Sequence, residues 1–256
     1  MKNLKLEKME SYWIIRLNRP DIFNALNEEL ILEIKDIFEQ AAQEKGLRLV
    51  VLTGEGKAFC SGADLKSGIS EPNLGNILRR TYNPMIKAIR NLPIPVLAYV
   101  NGPAAGAGCS LALACDYIIA DENAYFAELF ALIGLAVDAG STAFLIQTLG
   151  YQKAFEIVSS ARKIPASEAM QIGWVSKIVN SDNSEEILQN EIDRFIQMPT
   201  KAIGLMKLAL QKAHNLSLDE ILELEADNQT IAGQSLDFAE GVMAFLQKRP
   251  AKFMGK

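Results

Sequence analysis

Two stretches of the chain and one isolated carboxylate carry residue types from which chemistry can be built. In Gly54-Glu-Gly-Lys-Ala-Phe-Cys-Ser-Gly-Ala-Asp-Leu-Lys66 three glycines follow an apolar run. That is the pattern of a strand opening into a loop whose backbone amides something approaches closely. In Asn101-Gly-Pro-Ala-Ala-Gly-Ala-Gly-Cys-Ser-Leu-Ala-Leu-Ala-Cys-Asp116 an apolar run turns into a helix opening at Gly106-Ala-Gly108. A helix start presents free N–H groups and a partial positive charge, which suits a developing anion. Either stretch alone also reads as tight packing through small residues, and neither matches the dinucleotide glycine fingerprint or a Walker phosphate loop. The carboxylate is Asp138, within Leu132-Ile-Gly-Leu-Ala-Val-Asp-Ala-Gly-Ser-Thr142. A dry pocket would raise its pKa toward that of a general acid or base; Asp is equally a good N-cap for a helix starting near Gly140.

Other polar candidates are weaker. Glu128 stands two residues before Phe130 and points the same way if the segment is extended, which makes it a candidate second acid; a surface position is the alternative. Asp64 reads as a turn brace and Asp116 as structural. His214 is the only histidine and lies among Lys212, Asn215 and Ser217. A Ser-His-Asp triad and a His-dependent metal site are therefore disfavoured. Cys60, Cys109 and Cys115 are odd in number and lack CxxC spacing, against a disulfide framework or zinc site and for a reducing compartment.

The elements that must position these groups follow from the hydrophobic pattern. Tyr12 to Leu17 and Leu47 to Leu52 read as strands around a helix from Asn27 to Ala42. A helix from Leu74 to Asn91, strand Val96 to Val100, a small-residue helix from about Gly106, strand Tyr117 to Ala120 and a helix after Gly140 continue the alternation. This indicates α/β architecture with parallel sheet. From about Ser181 onward long amphipathic segments predict an all-helical region: Ser184 to Met198, Lys201 to His214, Ser217 to Ala232 and Ser235 to Gln247. The division is therefore 1–180 for the α/β core and 181–256 for the helical region. Lys+Arg 26 against Asp+Glu 31 gives a net charge of -5 over 256 residues. With no basic block, nucleic acid is not expected as a partner. The apolar run Leu129 to Val137 is too short to span a membrane and the first residues are charged, so no membrane association and a cytoplasmic location are expected.

Taken together and in this order, these stretches resemble the crotonase superfamily of enoyl-CoA hydratases and isomerases. The matching segments are Asn18-Arg-Pro-Asp-Ile-Phe-Asn-Ala-Leu-Asn27, Ser61 to Leu65, Asn101 to Gly108, Ala166-Ser-Glu-Ala-Met-Gln-Ile-Gly-Trp-Val175 and Asp237-Phe-Ala-Glu-Gly-Val-Met-Ala-Phe-Leu-Gln-Lys-Arg249. The resemblance implies a crotonase-like spiral of ββα units with a C-terminal helical trimerisation region. It implies an acyl-CoA thioester substrate, with coenzyme A present only as part of that substrate, and no separate cofactor or metal. The thioester oxygen would lie between the N–H groups of Ala63 and Ala107. Ala25, Ser61, Asp64, Leu65 and Lys66 would lie along the adenine and pantetheine. Lys57, Lys66 and Lys248, the last from a neighbouring subunit, are candidates for the coenzyme A phosphates, and Phe130 and Leu135 for pocket walls.

Hydratases of the superfamily carry two glutamates where this chain has Ser110 and Phe130. Members whose segments read like Ala104 to Gly108 and Leu135 to Thr142 are isomerases with a catalytic aspartate at position 138. The branch most resembled is that of the 1,2-epoxyphenylacetyl-CoA and Δ3-Δ2-enoyl-CoA isomerases, of phenylacetate and fatty acid metabolism. The expectation is an acyl-CoA isomerase that shifts a double bond, or opens an epoxide, through an enolate, with Asp138 as acid and base. A hydratase using Asp138, Glu128 or both is the alternative, and a catalytically silent acyl-CoA-binding subunit is a further one. The expected assembly is a homotrimer or a dimer of trimers.

Overall fold

The computed structural model describes residues 2–67, 73–180 and 182–256. Its strands are β1 (Leu4–Lys8), β2 (Tyr12–Leu17), β3 (Leu49–Gly54), β4 (Val96–Val100), β5 (Ala104–Ala105), β6 (Tyr117–Asp121), β7 (Tyr125–Ala127), β8 (Ile164–Pro165) and β9 (Lys177–Val179). Six of them form a sheet of order β1-β2-β3-β4-β6-β9, and β5, β7 and β8 form a smaller one. The β1–β2 hairpin is antiparallel and the rest of the main sheet is parallel. The helices are α1 (Glu28–Gln43), α2 (Leu74–Arg80), α3 (Tyr82–Asn91), α4 (Ala107–Leu113), α5 (Ser141–Ser160), α6 (Ala166–Gln171), α7 (Ser184–Ile196), α8 (Thr200–Lys212), α9 (Leu218–Gly233) and α10 (Leu236–Leu246).

β3 is buried along its whole length, as a central parallel strand must be when both faces are covered. On one face α1 contributes Leu30, Ile31, Ile34, Ile37 and Phe38 to the large core. Asn27 is not the first residue of this helix but its N-cap, its side chain accepting from the Leu30 N–H at 2.9 Å. On the other face Leu188 and Ile192 of α7 pack against Ile14, Leu49, Val51 and Leu97.

The single helix expected from Leu74 to Asn91 is two, α2 and α3, broken at Thr81 (φ -119, ψ -74). Pro84 has no N–H to offer the Arg80 carbonyl and its ring clashes with that turn. The Thr81 hydroxyl bonds back to the Ile77 carbonyl at 2.6 Å, which also bends a helix. The strand expected from Leu47 begins instead at Leu49. α5 is interrupted at Gly150 (φ 72, ψ 172). Beyond β9 the described elements are helices; Ser181, where the texture of the sequence changes, lies outside the described residues. α8 is pinned to the core by Lys207, whose Nζ lies 2.7 Å from Asp116 Oδ2 and donates to the Ile94 carbonyl at 3.0 Å. The same Asp116 oxygen accepts from the Val96 N–H at 2.8 Å, so Asp116 has the structural role expected of it.

Candidate active site

Three loops leave the carboxyl ends of β2, β3 and β4, the edge at which parallel sheets bind ligands, and buried polar contacts lace them together. Asn24, in the left-handed region (φ 57), donates from Nδ2 to the carbonyls of Ala58 at 2.8 Å and Glu55 at 3.0 Å. Asn101 Oδ1 accepts from the Gly54 N–H at 3.2 Å. Leu26 pairs with Ala63 and Cys60 with Ala104 as short parallel bridges, and the Ser61 N–H donates to the Phe23 carbonyl at 2.9 Å. Ala25, Ser61, Ala63, Asp64 and Leu65 therefore share one edge, with Ser61 and Leu65 exposed. Asp64 braces its loop through an ion pair, Arg19 Nη2 to Oδ2 at 2.9 Å, in addition to its own N–H bond to the Leu26 carbonyl.

Glycine is required where the β3 loop meets α4. At Gly62 (φ +93) an added Cβ would lie 2.7 Å from the Ala105 carbonyl oxygen and 3.5 Å from the Ala107 nitrogen. At Gly108 it would lie 2.2 Å from the Cys60 carbonyl oxygen, inside van der Waals contact. The two backbones thus run against each other with Ala63 following one glycine and Ala107 opening α4 beside the other. Among the described residues neither the Ala63 nor the Ala107 N–H has a backbone hydrogen-bond partner. Two unspent amides on adjacent backbones can receive one oxyanion.

Asp138 sits in a strained turn, followed by Ala139 (φ 50) and Gly140 (φ 89). It does not cap α5: the N-cap is Gly140 and receives no side-chain bond. Its Oδ1 is buried without a hydrogen-bond partner, and burial pushes its pKa up to about 6. Glu128 is not on the surface but fully buried, at 0% exposure. Its Oε1 accepts from the Ser141 hydroxyl at 2.6 Å and its Oε2 has no partner. Burial, with the nearby Asp138 charge, carries Glu128 up to about 7 against the lowering effect of the Ser141 hydrogen bond and the nearby Cys109 thiol.

The segment after Glu128 is a 3-10 turn, Leu129–Ile133, rather than extended chain. Phe130 turns into the core at 8% exposure, whereas Leu135 is 40% exposed. Lys57, Lys66 and Lys248 are exposed, and Lys248 follows α10. His214 is exposed at the end of α8. Cys60, Cys109 and Cys115 are free and buried. Two site residues escaped the sequence reading. Ser141, the first residue of α5, bridges Glu128 and Ser110. Tyr82, buried at the start of α3, has its phenol pKa raised by burial and by the charge of Asp138. An ordinary helix-start serine and a lone tyrosine give no periodic or spacing signal.

Residues 7–256 match the family described as enoyl-CoA hydratase/isomerase. The chain belongs to this family. Its relatives carry both names. A Rhodobacter capsulatus protein, "Probable enoyl-CoA hydratase", is 41% identical, the match covering 99% of this chain and 98% of the relative. The Escherichia coli 1,2-epoxyphenylacetyl-CoA isomerase is 36% identical over 94% of both chains. The solved enoyl-CoA hydratase of Bacillus anthracis superposes with a TM-score of 0.93 at 31% identity, over 99% of this chain and 100% of that one. The fold is the crotonase fold, an α/β spiral with a helical C-terminal region. Among the described residues no helix is long and apolar enough to cross a membrane.

Proposed function

We propose that this chain is an acyl-CoA isomerase that moves the double bond of a 3-enoyl-CoA to the 2-position. The observation that carries the reading is the buried, unpartnered Oδ1 of Asp138, beside positions 110 and 130 held by serine and phenylalanine. Ionised Asp138 takes a proton from the carbon next to the thioester carbonyl. The electron pair moves through the carbonyl carbon onto oxygen, and the dienolate is stabilised by the N–H groups of Ala63 and Ala107. The Asp138 acid then returns the proton to the far end of the former double bond, the oxyanion collapses and Asp138 is again ionised. One carboxylate suffices because nothing is added; hydration needs both an activated water and a proton donor. Two preorganised amides contribute about 3 kcal/mol each where charge develops.

Ala25 and the Ser61 to Lys66 edge take the adenine and pantetheine, and Lys57, Lys66 and a neighbour's Lys248 face the phosphates. A second reading, hydration by Glu128 with Asp138, draws support from the second buried carboxyl and from relatives named as hydratases. Product mass separates the two. Purified protein given a 3-enoyl-CoA should release an isomer of equal mass and should not convert a 2-enoyl-CoA into a product one water heavier.

Assembly into trimers is part of the same proposal. The folded chain exposes 13343 Å², where surface scaling for a chain of this size gives about 11,000 Å². The excess fits the helical region, where α8, α9 and α10 enclose an apolar groove of about 1120 Å³, and where Leu210 and Phe245 are 72% and 83% exposed. Apolar side chains left exposed around such a groove are what a second copy of the chain would cover.

A further inference from the structure

The serine that replaces a carboxylate near the oxyanion amides ends a buried chain of hydroxyls. Ser141 Oγ lies 2.6 Å from Glu128 Oε1 and 2.8 Å from Ser110 Oγ. Ser110 Oγ lies in turn 3.2 Å from the Asp138 carbonyl oxygen, which also accepts the Ser141 N–H at 3.0 Å. Ser110, Glu128 and Ser141 are all fully buried, so no solvent competes for these bonds. Resting on the isomerase reading, we propose that Glu128 is a positioning residue for Asp138: its proton sets the direction of the Glu128–Ser141–Ser110 relay and thereby whether the Asp138 carbonyl is held.

Proton counting gives the two states, since each hydroxyl has one hydrogen to donate. With Glu128 ionised, Ser141 donates to Oε1 and Ser110 donates to Ser141. Ser110 has then spent its hydrogen, and the Asp138 carbonyl keeps only the Ser141 amide. With Glu128 protonated on Oε1, the chain reverses: Glu128 donates to Ser141, Ser141 to Ser110, and Ser110 to the Asp138 carbonyl at 3.2 Å, the nearer of its two acceptors, the Gly106 carbonyl lying at 3.4 Å. The bond falls where backbone restraint matters. Ala139 (φ 50) follows Asp138 directly in a left-handed conformation that costs a non-glycine residue energy and persists only when its surroundings hold it. The relay thus fixes the base of the side chain that must meet the substrate carbon.

The groups acting on Glu128 are the Cys109 thiol from α4 and the Asp138 carboxyl from the turn before α5, while the Asp138 charge is also felt by the Tyr82 phenol of α3. Because burial raises both Glu128, to about 7, and Asp138, to about 6, both relay states are reached near neutrality.

The test is the pH profile of kcat for double-bond shift in wild type, Glu128→Gln, Ser110→Ala and Asp138→Asn, each checked for native circular dichroism. Wild type should give a bell, rising as Asp138 ionises and falling as Glu128 does. Glu128→Gln keeps a permanent donor toward Ser141, so its rising limb should remain and its falling limb should vanish. Ser110→Ala removes the last bond at every pH, so it should also lose the falling limb, at a kcat lower by about 3- to 10-fold, the worth of one hydrogen bond. A falling limb that survives in Ser110→Ala means Glu128 acts without the relay and overturns the inference, and so does a Glu128→Gln profile superimposable on wild type. Ser110→Ala decides the matter even if Glu128→Gln does not fold. Turnover retained in Asp138→Asn would instead overturn the isomerase reading itself, whatever the other variants show.

Discussion

Gly62 lies so close to Ala107 that a Cβ on it would stand 3.5 Å from the Ala107 nitrogen and 2.7 Å from the Ala105 carbonyl oxygen. The loop after β3 and the start of α4 can be neighbours only while position 62 has no side chain. Gly62→Ala forces the loop away and out of its φ of +93, separating the amides of Ala63 and Ala107. The expected result is a fall in kcat of about 10²-fold, as for loss of one oxyanion donor, with KM for the acyl-CoA changed far less. Steady-state kinetics beside a thermal melt checks it; a kcat within a factor of two of wild type would remove these amides from the mechanism.

Asp138 should weaken the fold it serves. Its pKa rises from 3.8 in the unfolded chain to about 6 in the folded one, so between those values the folded state binds the proton more strongly. Its contribution is fully present below about pH 4 and is lost as pH rises through 6. Allowing for solvent screening of this half-buried group, the cost near neutrality is about 1–2 kcal/mol. Asp138→Asn should raise Tm at neutral pH by about 2–6 °C, and the gain should disappear in acid. A variant less stable than wild type at neutral pH would mean that the ionised carboxylate has a structural partner.

Lys207 holds the helical region to the sheet. Its buried Nζ meets Asp116 Oδ2 at 2.7 Å and the Ile94 carbonyl at 3.0 Å. Lys207→Ala removes the ion pair of a partly exposed Asp116, which keeps the Val96 N–H, together with a buried lysine stem, at a cost of about 2–4 kcal/mol. A Tm drop of about 6–15 °C is expected by differential scanning calorimetry; a drop under two degrees would show that apolar packing alone docks α8.

The apolar face of the helical region supplies a test of assembly. If the proposed trimer forms through this face, placing charge on it with Leu210→Glu and Phe245→Glu should give monomers by light scattering, while the core keeps its circular dichroism. A monomeric wild type would contradict the proposed assembly directly.

Much of the fold was legible in the sequence. The residues of α1 fall at helical spacing, the strands carry continuous apolar runs, and Gly62 and Gly108 stand where backbones meet. The site was legible only where one residue type announces its chemistry. Asp138 interrupts an apolar run and so stands out. Glu128 was read against an extended segment, yet the chain turns 3-10 at Leu129 and folds it inward, because register after a short strand is not written in periodicity. Ser141 and Ser110 carry no local signal at all: their meaning comes from a contact across 31 residues. The break at Thr81 was missed because Pro84 is tolerated in a first turn, and apolar spacing continues through it.

The measurement that tests the central claim most directly is turnover of a 3-enoyl-CoA and of a 2-enoyl-CoA in deuterated water, followed by mass, for wild type and Asp138→Asn. Wild type is expected to give the 2-enoyl-CoA with no added water and with at most one deuterium at the carbon that receives the proton from Asp138. Asp138→Asn, folded, should lose both the shift and the label. Water added to the 2-enoyl-CoA by wild type, or an undiminished shift in Asp138→Asn, would contradict proton transfer by Asp138 alone.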